Sequence, residues 1–400
     1  MKRVYLDHAS ASPLLPSVLR AMRSAESYYG NPGSIHREGE EAKALLRAAR
    51  EEVAELLDAS ADEIVFGASA TESLNLAMRG AVAAWKASRS EKVPEIIVTE
   101  VEHAAVLETA RTLARDGAVV HFISVRFDGT ADLAALKDAL SEQTVLVAMM
   151  LANNETGTIM PVRETARILR EHRIAFGART REQLAYPLLL SDACQATRSL
   201  DLSVRRLGVD LMVFNAAKMG GPKGASVLFR RRPVPLIPVL SGGGQEGGLR
   251  PGTEALPLVA GLSAALKSAR STAPKWSARV GRLRDMLERQ LRQRFPEMHI
   301  NAAGGTRLPN FLNVTFPDVD HENLVIMLDR EGIAVSTKSA CDETAAEHSH
   351  VLRALRRAGD GAGYPDSGVR ISLGYETTAS DIRAVIRAFE RVRGRMRSLL

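Results

Sequence analysis

The sequence contains few cysteines, few aromatic residues and no apolar run long enough to cross a bilayer. Only 2 of its 400 residues are cysteine, Cys194 and Cys341, and two thiols so far apart have neither a metal-ligand spacing nor the pattern of a disulfide framework. Aromatic residues make up 4% of the chain, and no apolar stretch approaches the length of a membrane span. These absences argue against a metal-ligand or disulfide scaffold and against an integral membrane protein.

Nucleotide-binding signatures are also absent. The chain has neither a G-x-G-x-x-G fingerprint nor a Walker sequence, which counts against dinucleotide and nucleoside triphosphate sites. Its first ten residues, MKRVYLDHAS, reach a strand-like run and an acidic residue without the apolar stretch of a secretory signal. We therefore expect a cytoplasmic protein without membrane association.

The net charge of +6 is concentrated in three basic clusters, at residues 229–233, 353–357 and 391–400. A nucleic-acid surface is one interpretation of such clusters. They lack the interleaved aromatic side chains that stack on bases, so solvated helix faces are the favoured interpretation. No direct binding of nucleic acid is expected.

Apolar runs and amphipathic stretches alternate along the first two thirds of the chain. Stretches such as 40–57, 103–115 and 161–173 have helical periodicity, and seven continuous apolar runs have the character of buried strands: 63–66, 95–99, 118–125, 144–151, 187–193, 211–214 and 225–229. This alternation is typical of crossover connections in a mostly parallel sheet that is covered on both faces. It predicts a large α/β domain.

After residue 262 the pattern changes. Amphipathic stretches at 278–294 and 380–400 flank short strand-like runs at 310–316 and 369–374. We predict a large domain at 15–262 and a smaller α+β domain formed by residues 1–14 and 263–400. The segment 174–187 is predicted to be a surface loop.

Polar residues follow several of the predicted strands. In α/β sheets, ligands collect at the carboxyl ends of the strands, and each of these residues taken singly could instead be a cap or a turn residue. The residues at these positions are Thr71, His103, Asn154, Asp192, Gln195, Asn215 and Lys218.

Asp192 and Lys218 together indicate pyridoxal 5'-phosphate. A carboxylate beneath the pyridinium nitrogen and a lysine that can form an imine are what this cofactor needs to act as an electron sink. Burial at a strand end also favours the neutral amine that must attack and act as a base. Lys218 could instead be an exposed turn lysine, and Lys223 in GPKG is its nearest rival. The segment GASATES (67–73) fits a phosphate site at a helix start or an ordinary helix cap.

The chain resembles the cysteine desulfurases of the fold-type I pyridoxal phosphate family over nearly its whole length. The resemblance rests on motifs in the family's order: YLDHASASPL, GNPGSIH, ATESLNLA, TEVEHAAVLE, ANNETGT, DACQA, GPKG, GGGQEGGLRPGTE, KSAC and VRISLG. It implies a fold-type I transferase whose large domain has a mostly parallel seven-stranded sheet. It also implies a homodimer with pyridoxal 5'-phosphate as cofactor and L-cysteine as substrate.

The resemblance assigns a role to each site residue. It implies that Lys218 is the Schiff-base lysine, Asp192 the partner of the ring nitrogen and Gln195 a donor to the ring hydroxyl. His103 would stack on the ring and take part in catalysis, and Asn154 would lie beside cofactor and substrate. Ala70, Thr71 and Asn215 would bind the phosphate, and Thr253 would reach the phosphate of the neighbouring subunit.

Cys341 is the nucleophile that the resemblance implies. It lies in STKSACDETAAEHSHVL, a polar segment that can move and carry a thiol between substrate and acceptor, and Lys338 could lower its pKa. An unreactive surface cysteine is the alternative.

Arg370 in VRISLG matches the family's arginine for the substrate carboxylate, with a structural salt bridge as the alternative. Cys194 is expected to be a packing residue.

Two motifs depart from the family pattern. Much of the family has S-x-H-K where this chain has NAAK, so Asn215 and Ala217 replace a serine and a histidine. Ala217 offers no hydrogen-bonding side chain, and a lost phosphate contact costs about 1–3 kcal/mol if its partner is left unsatisfied. The segment DHASASPL also differs from the commoner D-x-A-T-T-P.

Three functions follow from these observations. The first is a cysteine desulfurase that forms a persulfide on Cys341 and supplies sulfur to an acceptor or scaffold protein, for iron–sulfur cluster assembly or tRNA thiolation. The second is a selenocysteine lyase or another aminotransferase-like enzyme of the same fold. The third is a non-catalytic homologue with weakened cofactor binding.

Overall fold

The computed structural model describes residues 3–89, 91–178, 180, 184–337 and 348–397. Its strands are β1 (Val4–Tyr5), β2 (Ile64–Gly67), β3 (Glu95–Thr99), β4 (Val119–Ile123), β5 (Thr144–Ala148), β6 (Leu188–Asp192), β7 (Leu211–Asn215), β8 (Ser226–Arg230), β9 (His299–Ile300), β10 (Phe311–Thr315), β11 (Ile333–Ala334) and β12 (Val369–Ser372). Its α-helices are α1 (Pro16–Ala25), α2 (Arg37–Leu57), α3 (Ala70–Ser88), α4 (Ala104–Arg115), α5 (Leu133–Ala139), α6 (Val162–Ala175), α7 (Val204–Leu207), α8 (Leu256–Arg294), α9 (His321–Arg330), α10 (His350–Arg357) and α11 (Ala379–Arg397).

Seven strands form the central sheet, in the order β2-β8-β7-β6-β5-β3-β4. The five strands from β7 to β4 run parallel to one another, whereas β8 is antiparallel to both β7 and β2. The predicted α/β class with a mostly parallel seven-stranded sheet is therefore confirmed.

The sheet is buried on both faces, which explains the continuous apolar runs. In β6, Leu189 belongs to the core on one face, whereas Leu188 and Leu190 belong to the core on the other. Because neighbouring side chains of a strand point to opposite faces, a strand between two cores must be apolar at every position. Helices therefore cover both faces and leave the strand ends as the accessible edge.

A third core lies under a smaller group of elements that contains the N-terminal segment. An antiparallel sheet of order β12-β10-β9 and the parallel pair of β1 with β11 contribute to it, and Val4 and Leu6 are buried in it.

Helix α8 joins the two groups. Leu266 packs in a core of the large sheet and Val280 packs in the smaller core. The boundary at residue 262 remains a prediction, since one continuous helix serves both cores. None of the described helices is long and apolar enough to span a membrane.

Candidate active site

The ends of the neighbouring strands β6 and β7 bring together an acid and a lysine. Asp192 ends β6 and pairs with Val213 of β7 in the parallel register. Its side chain is fixed because Oδ1 accepts a hydrogen bond from the backbone N–H of Cys194 at 2.9 Å. Lys218 lies three residues beyond the end of β7 and is half-buried. The topology therefore places both residues at the carboxyl edge of the sheet, where the sequence predicted a site.

His103 adds an imidazole to this edge. It is the N-cap of α4, and its Nδ1 accepts a hydrogen bond from the backbone N–H of Ala105 at 3.1 Å. Burial lowers its pKa, the charge of Lys218 lowers it further, and the charge of Asp192 opposes this shift. The ring is thus neutral at neutral pH and carries its proton on Nε2. These charge interactions also place Lys218 and Asp192 near the ring.

The N-terminus of α3 forms a cradle of small residues. Ser69 caps the helix by accepting a hydrogen bond from the backbone N–H of Glu72 at 3.1 Å, and Ala70 and Thr71 occupy the first turn. A Cβ at Gly67 would lie 2.7 Å from the hydroxyl oxygens of Ser73 and Ser226, so only glycine fits there. Backbone N–H groups at a helix start bind phosphate well.

Three of the predicted site residues each have a buried polar atom without a partner among the described residues. These atoms are the Oδ1 atoms of Asn154 and Asn215 and the Nε atom of Arg370. Such atoms are costly to bury unless a ligand or water satisfies them. Asn215 donates from Nδ2 to the sulfur of Cys194 at 3.5 Å, which leaves the second hydrogen of its amide for another acceptor. The set of orphaned atoms fits a bound polar cofactor.

Gln195 and Ala217 face the N-terminal segment. Nε2 of Gln195 donates to the carbonyl oxygen of Ala9 at 2.9 Å, which leaves one amide hydrogen for a ring hydroxyl. The carbonyl oxygen of Ala217 accepts from the backbone N–H of Ser12 at 2.8 Å. The segment that differs most from the family pattern thus closes one side of the site.

Arg370 is buried, with 2% of its surface exposed. Its Nη1 donates to the carbonyl oxygen of Asn154 at 2.9 Å, and its Nη2 donates to Oδ1 of Asp7 at 2.8 Å and to Oγ of Ser10 at 2.7 Å. The salt bridge that was the alternative interpretation is therefore present. The unpartnered Nε shows that the guanidinium also has a free donor.

Sequence reasoning missed two carboxyl groups that support the site, and Glu102 is the first. It is fully buried beneath His103, and its Oε1 accepts from Thr99 Oγ1 at 2.7 Å and from the backbone N–H of Met150 at 2.8 Å. Burial, together with the nearby charge of Asp192, raises its pKa to about 8. The sequence feature that could have identified Glu102 is an acidic residue directly before His103, at the end of an apolar strand.

Glu246 is the second. Its side chain is 1% exposed. Arg50 donates to both of its carboxylate oxygens, at 2.7 and 2.6 Å, and the backbone N–H of Phe66 donates to Oε2 at 2.8 Å. This pair ties the glycine-rich loop at 242–253 to β2 and α2, so the loop is not a plain linker.

Thr253 lies exposed in that same loop. Arg250 donates from Nε to Oε1 of Glu72 at 3.0 Å, so the loop passes close to the cradle that contains Thr71. An exposed threonine at this place fits a contact to a second subunit.

Cys341, the predicted nucleophile, lies outside the described residues, as does Lys338. The chain re-enters the structure at His348. Ser349 then caps α10 and donates to Oε2 of Glu155 at 2.6 Å, and His350 Nε2 lies 3.0 Å from the carbonyl oxygen of Glu102. His350 therefore lies beside Glu102, the residue that precedes His103 in the chain.

Cys194 is a packing residue in the structure. It is 4% exposed and belongs to one of the cores of the large sheet. Burial raises the pKa of its thiol well above the usual value, so it has little nucleophilic thiolate.

Among the described residues, no group of histidine, cysteine and acidic side chains could hold a metal ion.

Comparisons with known proteins identify the family and the fold. The family model "Aminotransferase class-V" matches residues 4–385. The chain is 36% identical to "Cysteine desulfurase IscS" of Dictyoglomus turgidum over 401 residues, covering 100% of this chain and 97% of that protein. It is 38% identical to "Cysteine desulfurase" of Cereibacter sphaeroides, covering 100% and 98%. A solved structure titled "NIFS-LIKE PROTEIN" superimposes with a TM-score of 0.87 at 33% identity and covers 98% of this chain and 99% of that one.

Proposed function

The chain belongs to the class-V aminotransferase family and is a cysteine desulfurase, and from this premise we propose that pyridoxal 5'-phosphate bound at the sheet edge serves the transfer of sulfur from L-cysteine to Cys341. The observation that carries the proposal is the convergence of Lys218 and Asp192 at the ends of β6 and β7, with both charges acting on His103.

The residues present fit the cofactor. When bound, pyridoxal 5'-phosphate supplies an electron sink for the substrate's α-carbon. Asp192 would pair with the ring nitrogen, His103 would stack on the ring, and Gln195 would donate to the ring hydroxyl. The phosphate would lie at the N-terminus of α3, held by Ala70, Thr71 and Asn215 and by Thr253 of a second subunit. Asn154 would satisfy its orphaned amide oxygen against cofactor or substrate.

Arg370 and Lys218 would have separate roles, the first in substrate binding and the second in proton transfer. Arg370 would hold the substrate carboxylate with its free Nε–H, and the Lys218 amine would take the α-proton as general base. Burial near a strand end keeps water from competing for these groups.

Cys341 would attack the substrate's sulfur as a thiolate. The S–S bond to Cys341 forms while the Cβ–Sγ bond of the substrate breaks, and the carbon skeleton leaves as L-alanine after protonation. The Cys341 thiol and L-cysteine thus give a Cys341 persulfide and L-alanine, and no external oxidant or reductant is required.

A homodimer, a sulfur acceptor and a cytoplasmic location belong to the same proposal. Exposed apolar side chains next to the glycine-rich loop at 242–253 support a dimer: Ile237 is 42%, Val239 41% and Leu240 50% exposed. The acceptor would be an iron–sulfur scaffold protein or an enzyme of tRNA thiolation. Free thiols such as the one proposed to act at Cys341 persist in a reducing compartment, which supports the cytoplasm.

The decisive experiment incubates the purified protein with L-cysteine and measures L-alanine and protein-bound persulfide together. We expect equal amounts of both, with the persulfide on Cys341. Cys341→Ser should abolish the persulfide, and Cys194→Ala is the matched control that should retain it. Alanine without persulfide on Cys341 would contradict the proposal and favour a selenocysteine lyase or another aminotransferase-like activity.

The non-catalytic alternative is tested separately. Protein with bound cofactor should absorb visible light, and Lys218→Ala should lose the band that depends on the lysine. A protein that stays colourless after incubation with pyridoxal 5'-phosphate would support a homologue weakened in cofactor binding, with Ala217 as the place to look for the cause.

A further inference from the structure

A cavity of about 260 Å³ lies where the N-terminal segment meets the turn between β12 and α11. Its lining includes Tyr5, His8, Ser12, Arg198, Tyr375 and Glu376. It is separate from the cradle at α3 and from the residues assigned to the cofactor. Its size suits a small organic ion.

Arg198 is the unusual residue of this cavity. It is 7% exposed, yet it forms no hydrogen bond or ion pair with any residue that the structure describes, and its Nη2 atom is buried without a partner. Its guanidinium lies 5.1 Å from the ring centre of Trp276 and 5.8 Å from that of Tyr375.

The two aromatic rings do not balance the burial of this charge. Contacts of a cation with aromatic faces stabilise the cation only modestly, whereas burying an unpaired ion is considerably more costly. Burial lowers the pKa of Arg198 to about 10, so the side chain remains charged at neutral pH. A buried cation without a carboxylate partner calls for an anionic ligand.

The other charged groups that line the cavity limit the charge of that ligand. Arg3 is already ion-paired with Asp329, and Asp381 accepts hydrogen bonds from the backbone and hydroxyl of Thr378. Burial and the charge of Arg198 lower the pKa of His8 to about 4, so His8 is neutral. Glu376 brings a negative charge to the exposed rim. The two lining acids, Glu376 and Asp381, face the unpaired charge of Arg198, with Arg279 as a second cation nearby. This near balance of charge favours a singly charged carboxylate over a doubly charged phosphate.

We propose that this cavity binds a small monocarboxylate whose carboxylate group pairs with Arg198. The carboxylate can belong to a simple acid or to a zwitterion whose ammonium group faces Glu376. The site shares the N-terminal segment with the active site, because Ser12 lines the cavity and its backbone N–H donates to Ala217, the neighbour of Lys218. A ligand here would restrain the segment that carries Asp7.

Trp276 gives a direct readout of binding. The chain has two tryptophans, and Trp85 is buried in a core of the large sheet, away from the cavity lining. Trp85→Phe therefore leaves Trp276 as the only tryptophan, in contact with the guanidinium that would receive the ligand. The full-length Trp85→Phe protein is titrated with propanoate, with N,N-dimethylglycine and with inorganic phosphate. N,N-dimethylglycine is a zwitterion whose tertiary amine cannot form an imine with a cofactor.

We expect a saturable change of Trp276 fluorescence with a carboxylate and none with phosphate in the same range. Tighter binding of propanoate identifies a simple acid, and tighter binding of N,N-dimethylglycine identifies a zwitterion. Arg198→Gln should weaken carboxylate binding at least tenfold. Arg3→Gln is the matched control, since it removes the same charge from the same lining but from a residue that is already paired, and it should bind as before.

Arg198→Lys keeps the positive charge but loses the planar set of guanidinium N–H donors. This variant replaces Arg198→Gln in the binding test if the glutamine variant fails to fold. It should bind the carboxylate about tenfold more weakly than the parent protein. Three results would overturn the proposal: no fluorescence response to either carboxylate, preference for phosphate, or binding that survives in both Arg198 variants and disappears only in Arg370→Lys. The last result would place the ligand in the active site.

Discussion

Arg370 donates a hydrogen bond from Nη2 to Oδ1 of Asp7 at 2.8 Å, so the arginine assigned to the substrate carboxylate already has a carboxylate partner. The pair is tight, because the arginine side chain is 2% exposed and the aspartate side chain 19%. Substrate binding then adds a second anion to a guanidinium whose Nε is still free. Asp7 orients the arginine and also limits how strongly it attracts the substrate.

Arg370→Lys should raise KM for L-cysteine by about tenfold to a hundredfold, with a smaller effect on kcat. A lysine keeps the charge but cannot serve Asp7, Asn154 and the substrate at once, and a charged hydrogen bond contributes about 1.5–3 kcal/mol. Steady-state kinetics of alanine formation measure this. A fall in kcat with KM unchanged would mean that Arg370 is not a substrate ligand.

Stability should depend on pH through Glu102. Its pKa is raised from an ordinary value of 4.5 to about 8 in the folded protein, chiefly by burial. Between these values the unfolded chain has lost this proton and the folded chain has kept it, so the free energy of unfolding should fall as pH rises from about 5 to about 8.

Glu102→Gln should remove this part of the pH dependence. The amide keeps the shape and carries no titrating proton, so the decrease in urea midpoint from pH 5 to pH 8 should be smaller than in the parent protein. Glu26→Gln, at an exposed position, is the control and should follow the parent protein. Parallel curves for all three proteins would show that Glu102 titrates normally.

Glu246→Gln should lower the melting temperature clearly. The substitution leaves Arg50 without its bidentate carboxylate, and breaking a buried ion pair costs about 3–5 kcal/mol. Glu72→Gln removes the partner of Arg250, at a site where both side chains are about a quarter exposed, and should cost about 1 kcal/mol or less. Thermal unfolding followed by circular dichroism distinguishes the two. Equal shifts would contradict the importance assigned to the buried pair.

Alkylation should separate the two cysteines. Burial keeps the Cys194 thiol protonated and out of reach, so iodoacetamide should label Cys341 in the native protein and Cys194 only after denaturation. Mass spectrometry of the digested protein identifies the labelled peptide. Rapid native labelling of Cys194 would require its strand end to open.

The sheet could be predicted because its signal is local. Each of the seven apolar runs overlaps one strand of the sheet, and the polar residues Asp192 and Asn215 are the last residues of β6 and β7. A strand that is buried on both faces is apolar at consecutive positions. Such a strand can therefore be predicted from its own residues, without knowledge of distant contacts.

The partners of the site residues could not be predicted in this way. Asp7 and Arg370 are separated by 363 positions, and Glu246 meets Arg50 across 196. Both acids lie in segments without periodicity, so only the assembled fold determines which cation each one meets. Helix α8 also continues through Pro274, although a proline usually ends a helix.

Helix α8, with its 39 residues, measures about 58 Å at 1.5 Å per residue and has one end embedded in each half of the molecule. If either half unfolds, the part of α8 that packs against it becomes exposed. The two halves should therefore unfold together, although their sheets are separate. Chemical denaturation should therefore show a single cooperative unfolding transition. A chain truncated within α8 should not form a stable folded fragment.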